Sequence, residues 1–229
     1  MTEEQSLALS HADFVQVAGL LGEPVPDYLG APVAAYTRLR REEAFAASRR
    51  ALVERAVVLP GHPPRIPLSV VRLVQIVCRP ALSSDVHRYR EGFWQESIRY
   101  AVAADAAVEI LSEEDGVRLT PFHSDDLLSR IAARAGIEEL PRPGTGTNEA
   151  LLPDLTSMTA VSAYARVPGG RAGGELAWAA TNGYWLIPTT LTPLAGTPGT
   201  ATDDIKAQLT PVSGIELAEA LRTSFTFHN

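Results

Sequence analysis

One cysteine, Cys78, and one lysine, Lys206, occur in 229 residues. A single cysteine excludes a disulfide framework and a cysteine-ligated zinc site within one chain. It also suits a reducing compartment, so a cytoplasmic protein is expected. The shortage of lysine is matched by nineteen arginines, which reads as genome composition and not as a phosphate-binding device. No apolar run approaches ~18 residues, so no membrane span is expected. The opening MTEEQSLALSHADF lacks the basic start and apolar run of a signal peptide. Net charge is −7, which disfavours nucleic acid as a partner, because phosphate neutralisation dominates such binding.

Motifs of site chemistry are also missing. His11, His62, His87, His123 and His228 form no HExxH or HxH pair, so no metal site is expected. The glycine-rich PGGRAGG at 168–174 is not followed by GK[ST] and falls between strand-like runs. That is not a phosphate cradle. Glu113-Glu114-Asp115 and Asp203-Asp204 lie in turns, where solvation accounts for them, and no calcium-type ligand spacing is present. His123-Ser124-Asp125 contains the residue types of a hydrolase triad. Neighbours in sequence cannot take up the triad geometry, and capping at a helix entrance accounts for them better. No catalytic residue, no metal and no cofactor are expected.

What is present is a repeat. Leu-Thr-Pro occurs at 119–121 and again at 209–211, 90 positions on. Without a gap, LTPFHSDDLLSRI (119–131) aligns with LTPVSGIELAEAL (209–221). Leu127 matches Leu217, while Phe122/Val212, Asp126/Glu216 and Ile131/Leu221 match in character. Each copy opens an amphipathic helix and follows a stretch of alternating apolar residues with hairpin-like turns. The fold class is therefore α+β, pseudo-twofold, with a mainly antiparallel central sheet and flanking helices. Two related strand–strand–strand–helix halves are expected, 1–140 and 141–229, in one compact unit.

The remaining elements follow from spacing and punctuation. Ser10 caps a helix carrying Phe14, Val17, Ala18 and Leu21, which Gly22 ends. Residues 24–30, PVPDYLG, read as a turn-rich connector, and 34–55 as one long charged helix. Residues 57–66 contain PGHPP and read as a tight hairpin or wing-like loop. A short buried helix spans 68–77, and strands cover 86–90, 97–103, 106–112 and 117–120. Ser124 caps the first repeat helix, with Asp125 and Asp126 in its first turn. Residues 141–153 have linker composition. Strands follow at 157–166, 176–180, 184–190 and 205–209, with PGGRAGG as a hairpin loop and 192–204 as a mobile stretch. Asn182-Gly183 is the strongest short hairpin signal in the chain.

Trp178, Tyr184 and Trp185 cluster around that Asn-Gly turn. A two-residue turn would place both tryptophans on one hairpin, where they serve either as core or as an exposed face for a partner. The three are the candidate partner-binding residues.

With this layout the chain resembles the EspG-like proteins associated with ESX, or type VII, secretion. The resemblance rests on LLG–PVPDYLG (20–30), ALVERAVV (51–58), CRP (78–80) and GELAWAATNGYWL (174–186). It implies a pseudo-twofold fold with a mainly antiparallel sheet and helical layers, and no catalysis. It implies a cytosolic chaperone that binds the helical tip of PE–PPE secretion substrates. The chain reads as short for that family, with few helical residues between Pro141 and the strand at Ser157.

The first functional expectation is thus a non-enzymatic chaperone or adaptor with a protein partner. An alternative is a small-molecule-binding protein or enzyme with a dispersed site, in which His87, Arg88, Arg90 and Glu96 converge across a sheet. A nucleic-acid module, with the arginine-rich helix before PGHPP mimicking a winged helix, is disfavoured by the acidic balance.

Overall fold

In a computed structural model, the chain is described over residues 6–90, 93–137, 157–167, 170–180, 184–187 and 210–225. A first strand β1 (Leu7–Ser10) leads into helices α1 (His11–Leu21), α2 (Asp27–Ala34), α3 (Arg38–Glu54) and α4 (Leu68–Cys78). Strands β2 (Leu82–Arg90), β3 (Phe93–Ala103), β4 (Ala106–Glu113) and β5 (Gly116–His123) then precede α5 (Leu127–Ala135). Strands β6 (Ser157–Val167), β7 (Gly170–Ala180), β8 (Tyr184–Ile187) and β9 (Thr210–Val212) precede α6 (Gly214–Phe225). This is the expected α+β class, with antiparallel strands and flanking helices. Among the described residues each repeat has four strands and then a helix, as the strand ranges read from spacing have it and one strand more than the strand–strand–strand–helix halves.

The first strands of the two repeats, β2 and β6, are antiparallel neighbours, paired from Leu82↔Ala165 to Arg90↔Ser157. From that pair the strands step outward in chain order, β2-β3-β4-β5 in one repeat and β6-β7-β8-β9 in the other. Compactness does not divide the chain by one cut at 140. Residues Met1–Ala81 and Tyr100–Ser124 form unit 1, and Leu82–Arg99 and Asp125–Asn229 form unit 2. The reason is the β2–β6 pairing, which joins the first strand of the first repeat to the second repeat.

Unit 1 packs its helices on one face of β5-β4-β3. Helix α1 starts at a capping box: Ser10 Oγ accepts from Asp13 N–H at 3.1 Å, and the Asp13 carboxylate accepts from Ser10 N–H at 3.1 Å. It ends at Gly22, whose φ of 70° is left-handed. Val70, Leu73, Val74 and Val77 of α4 are buried at helical spacing. With Phe14 and Val17 they meet Val108, Ile110, Val117 and Leu119 of the sheet. Each such side chain is worth about 1.5–3 kcal/mol of burial.

Three sequence expectations change in this unit. Residues 24–30 are not all connector, because α2 begins at Asp27. Its Leu29 and Val33, four apart, are buried, a spacing that the surrounding prolines and glycine obscured. The long charged helix starts only at Arg38, capped by Thr37 Oγ1, which accepts from Arg40 N–H at 3.3 Å. Arg41 donates to the Ala34 and Tyr36 carbonyls at 2.9 and 3.2 Å, satisfying the end of α2. Strand β1 was not expected. It lies on β5 from Leu7↔Leu119 to Ser10↔Gly116, and a Cβ on Gly116 would run into the Leu9 carbonyl oxygen and come within 2.7 Å of Ser10 Cα. Arg55 fastens β1, donating to the Ala8 carbonyl and pairing with Asp13 at 3.5 Å. The PGHPP loop is closed by reciprocal backbone bonds between Leu59 and Arg65, at 2.7 and 3.1 Å.

Unit 2 holds β2 with the start of β3, then β6 to β9. The pair Val167↔Gly170 turns β6 into β7 across two residues, so Gly170 to Gly174 of PGGRAGG are strand, not loop. Helix α5 packs on β2, α6 on β7 and β8, and the two helices touch. The expected linker at 141–153, the stretch at 192–204 and the strand at 205–209 lie outside the described residues.

Candidate functional site

The aromatic cluster is core. Ala180 pairs with Tyr184, so three residues join β7 to β8, where two were expected. That one-residue difference decides the faces. Trp185 stands opposite Ala179, and Trp178 opposite Leu186, which puts the two indoles on opposite faces of the sheet. Trp178 is 1% exposed, Trp185 2% and Tyr184 6%. The Tyr184 hydroxyl donates to the Gly136 carbonyl at the end of α5, at 3.3 Å. Among the described residues the buried Trp178 indole N–H has no partner, and a donor left so costs about 1–3 kcal/mol. An exposed ring, the condition for direct partner contact, is not found at any of the three.

The alternative site does not assemble from its named residues either. His87 and Arg88 are adjacent in β2 and so point to opposite faces. The side chains of Arg90 and Glu96 lie outside the described residues. The run 123–125 sits at the end of β5 and in a 3-10 turn, Ser124–Asp126, not at the N-cap of an α-helix. Helix α5 starts at Leu127, and Asp126 makes no side-chain cap there.

What strand pairing brings together instead is a polar patch that sequence reasoning missed. Across β2, β6 and the start of β7 the two faces differ, whereas at β8 both are apolar, since the buried Trp185 and Ile187 lie on the face opposite Trp178. Val86, Val161, Trp178, Tyr184 and Val212 share the face of α5 and α6, as the register and the Tyr184–Gly136 bond require. The other face carries Asp85, Ser162 and Glu175 on one rung across β2, β6 and β7. Arg99 of β3 grips Asp85 with two bonds, one from Nε and one from Nη2 at 3.1 Å. His87 stands one rung further, opposite Ala160. On the rung before, Ser83 donates to the Tyr164 carbonyl at 3.5 Å, and the Tyr164 ring is exposed. Asp85, His87, Arg99 and Glu175 are all half-buried, and Ser162 is buried. Burial lowers the His87 pKa, Asp85 opposes that, Arg99 adds to it and Glu175 opposes it.

This patch supplies fixed charges of both signs, a hydroxyl and a mostly neutral imidazole. It suits recognition by complementary charge and hydrogen bonding. Unit 1 has a buried polar pair of its own, in which the Tyr100 hydroxyl donates to Glu109 at 3.1 Å and the Tyr100 ring meets Phe122 edge-on at 6.0 Å. Among the described residues, no three His, Cys, Asp or Glu side chains are placed to hold a metal ion. Among them too, no helix is long and apolar enough to cross a membrane.

No protein-family model and no curated protein matches the chain in sequence. In structure it is similar to the Mycobacterium tuberculosis type VII secretion system chaperone EspG5, solved in complex with the PE25–PPE41 dimer. The TM-score is 0.62 at 9% identity, over 98% of this chain and 98% of that one. At that identity the likeness is one of fold.

Proposed function

We propose that this chain is a non-catalytic chaperone or adaptor that binds a protein partner, in the manner of type VII secretion chaperones and in the cytoplasm. The observation that carries the reading is the end-to-end fold likeness to a chaperone solved in complex with a protein dimer. The polar patch of unit 2 is the surface assigned to that partner, because its charges are fixed by pairing and stand clear of the unit's two helices. Nucleic acid is not the expected partner of a chain of net charge −7.

Affinity capture from the native organism, read by mass spectrometry, tests the reading. A secretion substrate, recovered with the wild-type chain and weakly or not at all with Glu175→Lys, supports it. Recovery of nucleic acid or of a metabolite in place of protein overturns it. A melting temperature for Glu175→Lys close to wild type keeps loss of capture distinct from loss of fold.

A further inference from the structure

Unit 1 contains an open groove of about 600 Å³ between one stripe of α4 and the β3–β4 turn. Arg72, Gln75 and Ile76, at i, i+3 and i+4, share one face of α4, and Arg79, the residue that ends the helix, also lines the groove. Glu23 closes one end and Asp105 stands on the turn. The turn residue before it, Ala104, has a left-handed φ of 55°, a conformation uncommon for alanine.

The charges of this groove are unequally committed. Glu23 is fully engaged, since Arg79 Nε donates to Oε2 at 2.5 Å and Gln75 Nε2 donates to Oε1 at 3.2 Å. That pair forms a fixed, neutral wall. The Arg72 guanidinium and the Asp105 carboxylate have no partner among the described residues, and both residues are exposed. Among the described residues, Arg72 and Asp105 are thus an unpaired cation and an unpaired anion that line a single concavity, with the half-buried Ile76 as an apolar member.

We propose that this groove binds a short segment of a protein partner in which an acidic and a basic side chain flank an apolar one. The acidic side chain meets Arg72, the basic one meets Asp105, and the apolar one lies on Ile76. The volume falls in the range of small-ligand sites. The groove is open, and its two free charges are of opposite sign, which fits an extended or helical peptide bearing both signs. The proposal does not rest on the unit 2 patch, and its test reads the groove alone.

The probe is an array of short synthetic peptides with leucine flanked by one acidic and one basic residue. All-acidic and all-basic peptides of equal length are the controls. The purified wild-type chain should retain the mixed-charge peptides over both controls by roughly three- to fivefold, as exposed ion pairs allow. Arg72→Glu should shift the preference to all-basic peptides, and Asp105→Lys to all-acidic ones. Both positions are exposed and unpartnered, so melting temperatures should stay near wild type. Equal retention of all three peptide classes by the wild-type chain overturns the proposal. So does an unchanged preference in both variants, or binding of free lysine or glutamate with no binding of peptide.

Discussion

The two Leu-Thr-Pro copies bury the same positions by different means. Phe122 and Val212 are 5% and 7% exposed, Leu127 and Leu217 are 6% and 0%, and Ile131 and Leu221 are 0% and 2%. In both copies the proline lies in a strand, Pro121 opposite Val108 and Pro211 opposite Trp185. The volumes are traded across the strands. Phe122 faces Ala107 in the first copy, whereas Val212 faces Tyr184 in the second. The helix starts differ as well. Ser213 and Glu216 form a capping box, with Ser213 N–H donating to Glu216 at 2.7 Å and Glu216 N–H to Ser213 Oγ at 3.2 Å. The aligned positions in the first copy are His123 and Asp126, so the serine of the box is missing. There the three residues 124–126 form a 3-10 turn before α5 begins. Apolar positions conserve where a helix docks, while polar positions set where it starts.

The largest effects should come from the traded volumes. Trp185→Ala should lower stability by about 3–5 kcal/mol, as large-to-small changes at fully buried aromatics do. Val108→Ala, at the matching position, should cost only about 1.5 kcal/mol, near two methylenes of burial. Urea unfolding of both variants checks the difference. Equal costs would mean that the two prolines face environments of equal depth, and the asymmetry argued from side-chain size would fail.

Next come the positions that the copies share. Leu217→Ala and Leu127→Ala should each cost about 2–5 kcal/mol. The cost should be similar for both, because both leucines lie near the start of the repeat helix and are buried. A near-neutral result at one of them would break the repeat at the level of packing.

The caps should give smaller effects of unequal size. Ser213→Ala removes a capping box and should cost about 1 kcal/mol. Ser124→Ala removes no α-helix cap and should cost only a few tenths of a kcal/mol. Thermal melting of the two single variants measures this. Comparable losses would show that the 3-10 turn holds α5 as firmly as the box holds α6.

Much of this architecture was legible because its signals are local. The α1 boundaries follow from Ser10 and Gly22, and α4 from Val70, Leu73, Val74 and Val77, all within one helix. Strand β1 was not legible, since four residues carry too little pattern and their partner is β5, more than a hundred positions on. Helix α2 was hidden by Pro26, Gly30 and Pro32, which read as turn chemistry. The aromatic cluster was found as a cluster, with core and exposed face both left open; the burial of all three rings makes it core, and a three-residue connection in place of the two-residue turn that Asn-Gly favours puts the two indoles on opposite faces. The polar patch depends on register across three strands and could not be read from spacing. Asp85 and Arg99 are fourteen apart in sequence, and the register that sets Glu175 beside them runs through Ser162.

The smallest expected effect lies on that patch and separates it from the helix-covered face. The His87 pKa is lowered from its usual 6.5, first by burial, and the charged groups around it are Asp85, Arg99 and Glu175. Above pH 6.5 the imidazole is neutral in both the folded and the unfolded chain, so its contribution to stability is fully present. As pH falls below 6.5, the unfolded chain binds a proton that the folded chain resists, and stability is lost until pH passes the lowered folded value. Urea midpoints should therefore decline on the acid side of 6.5, and His87→Asn should flatten that part of the decline while leaving the midpoint above pH 7 nearly unchanged. The effect is modest because the residue is half-buried and the two carboxylates oppose the cost of burial. An acid limb of the same slope in His87→Asn would show that the imbalance in proton binding belongs to other groups. The patch would then be a fixed array of charges with no titrating member in this range.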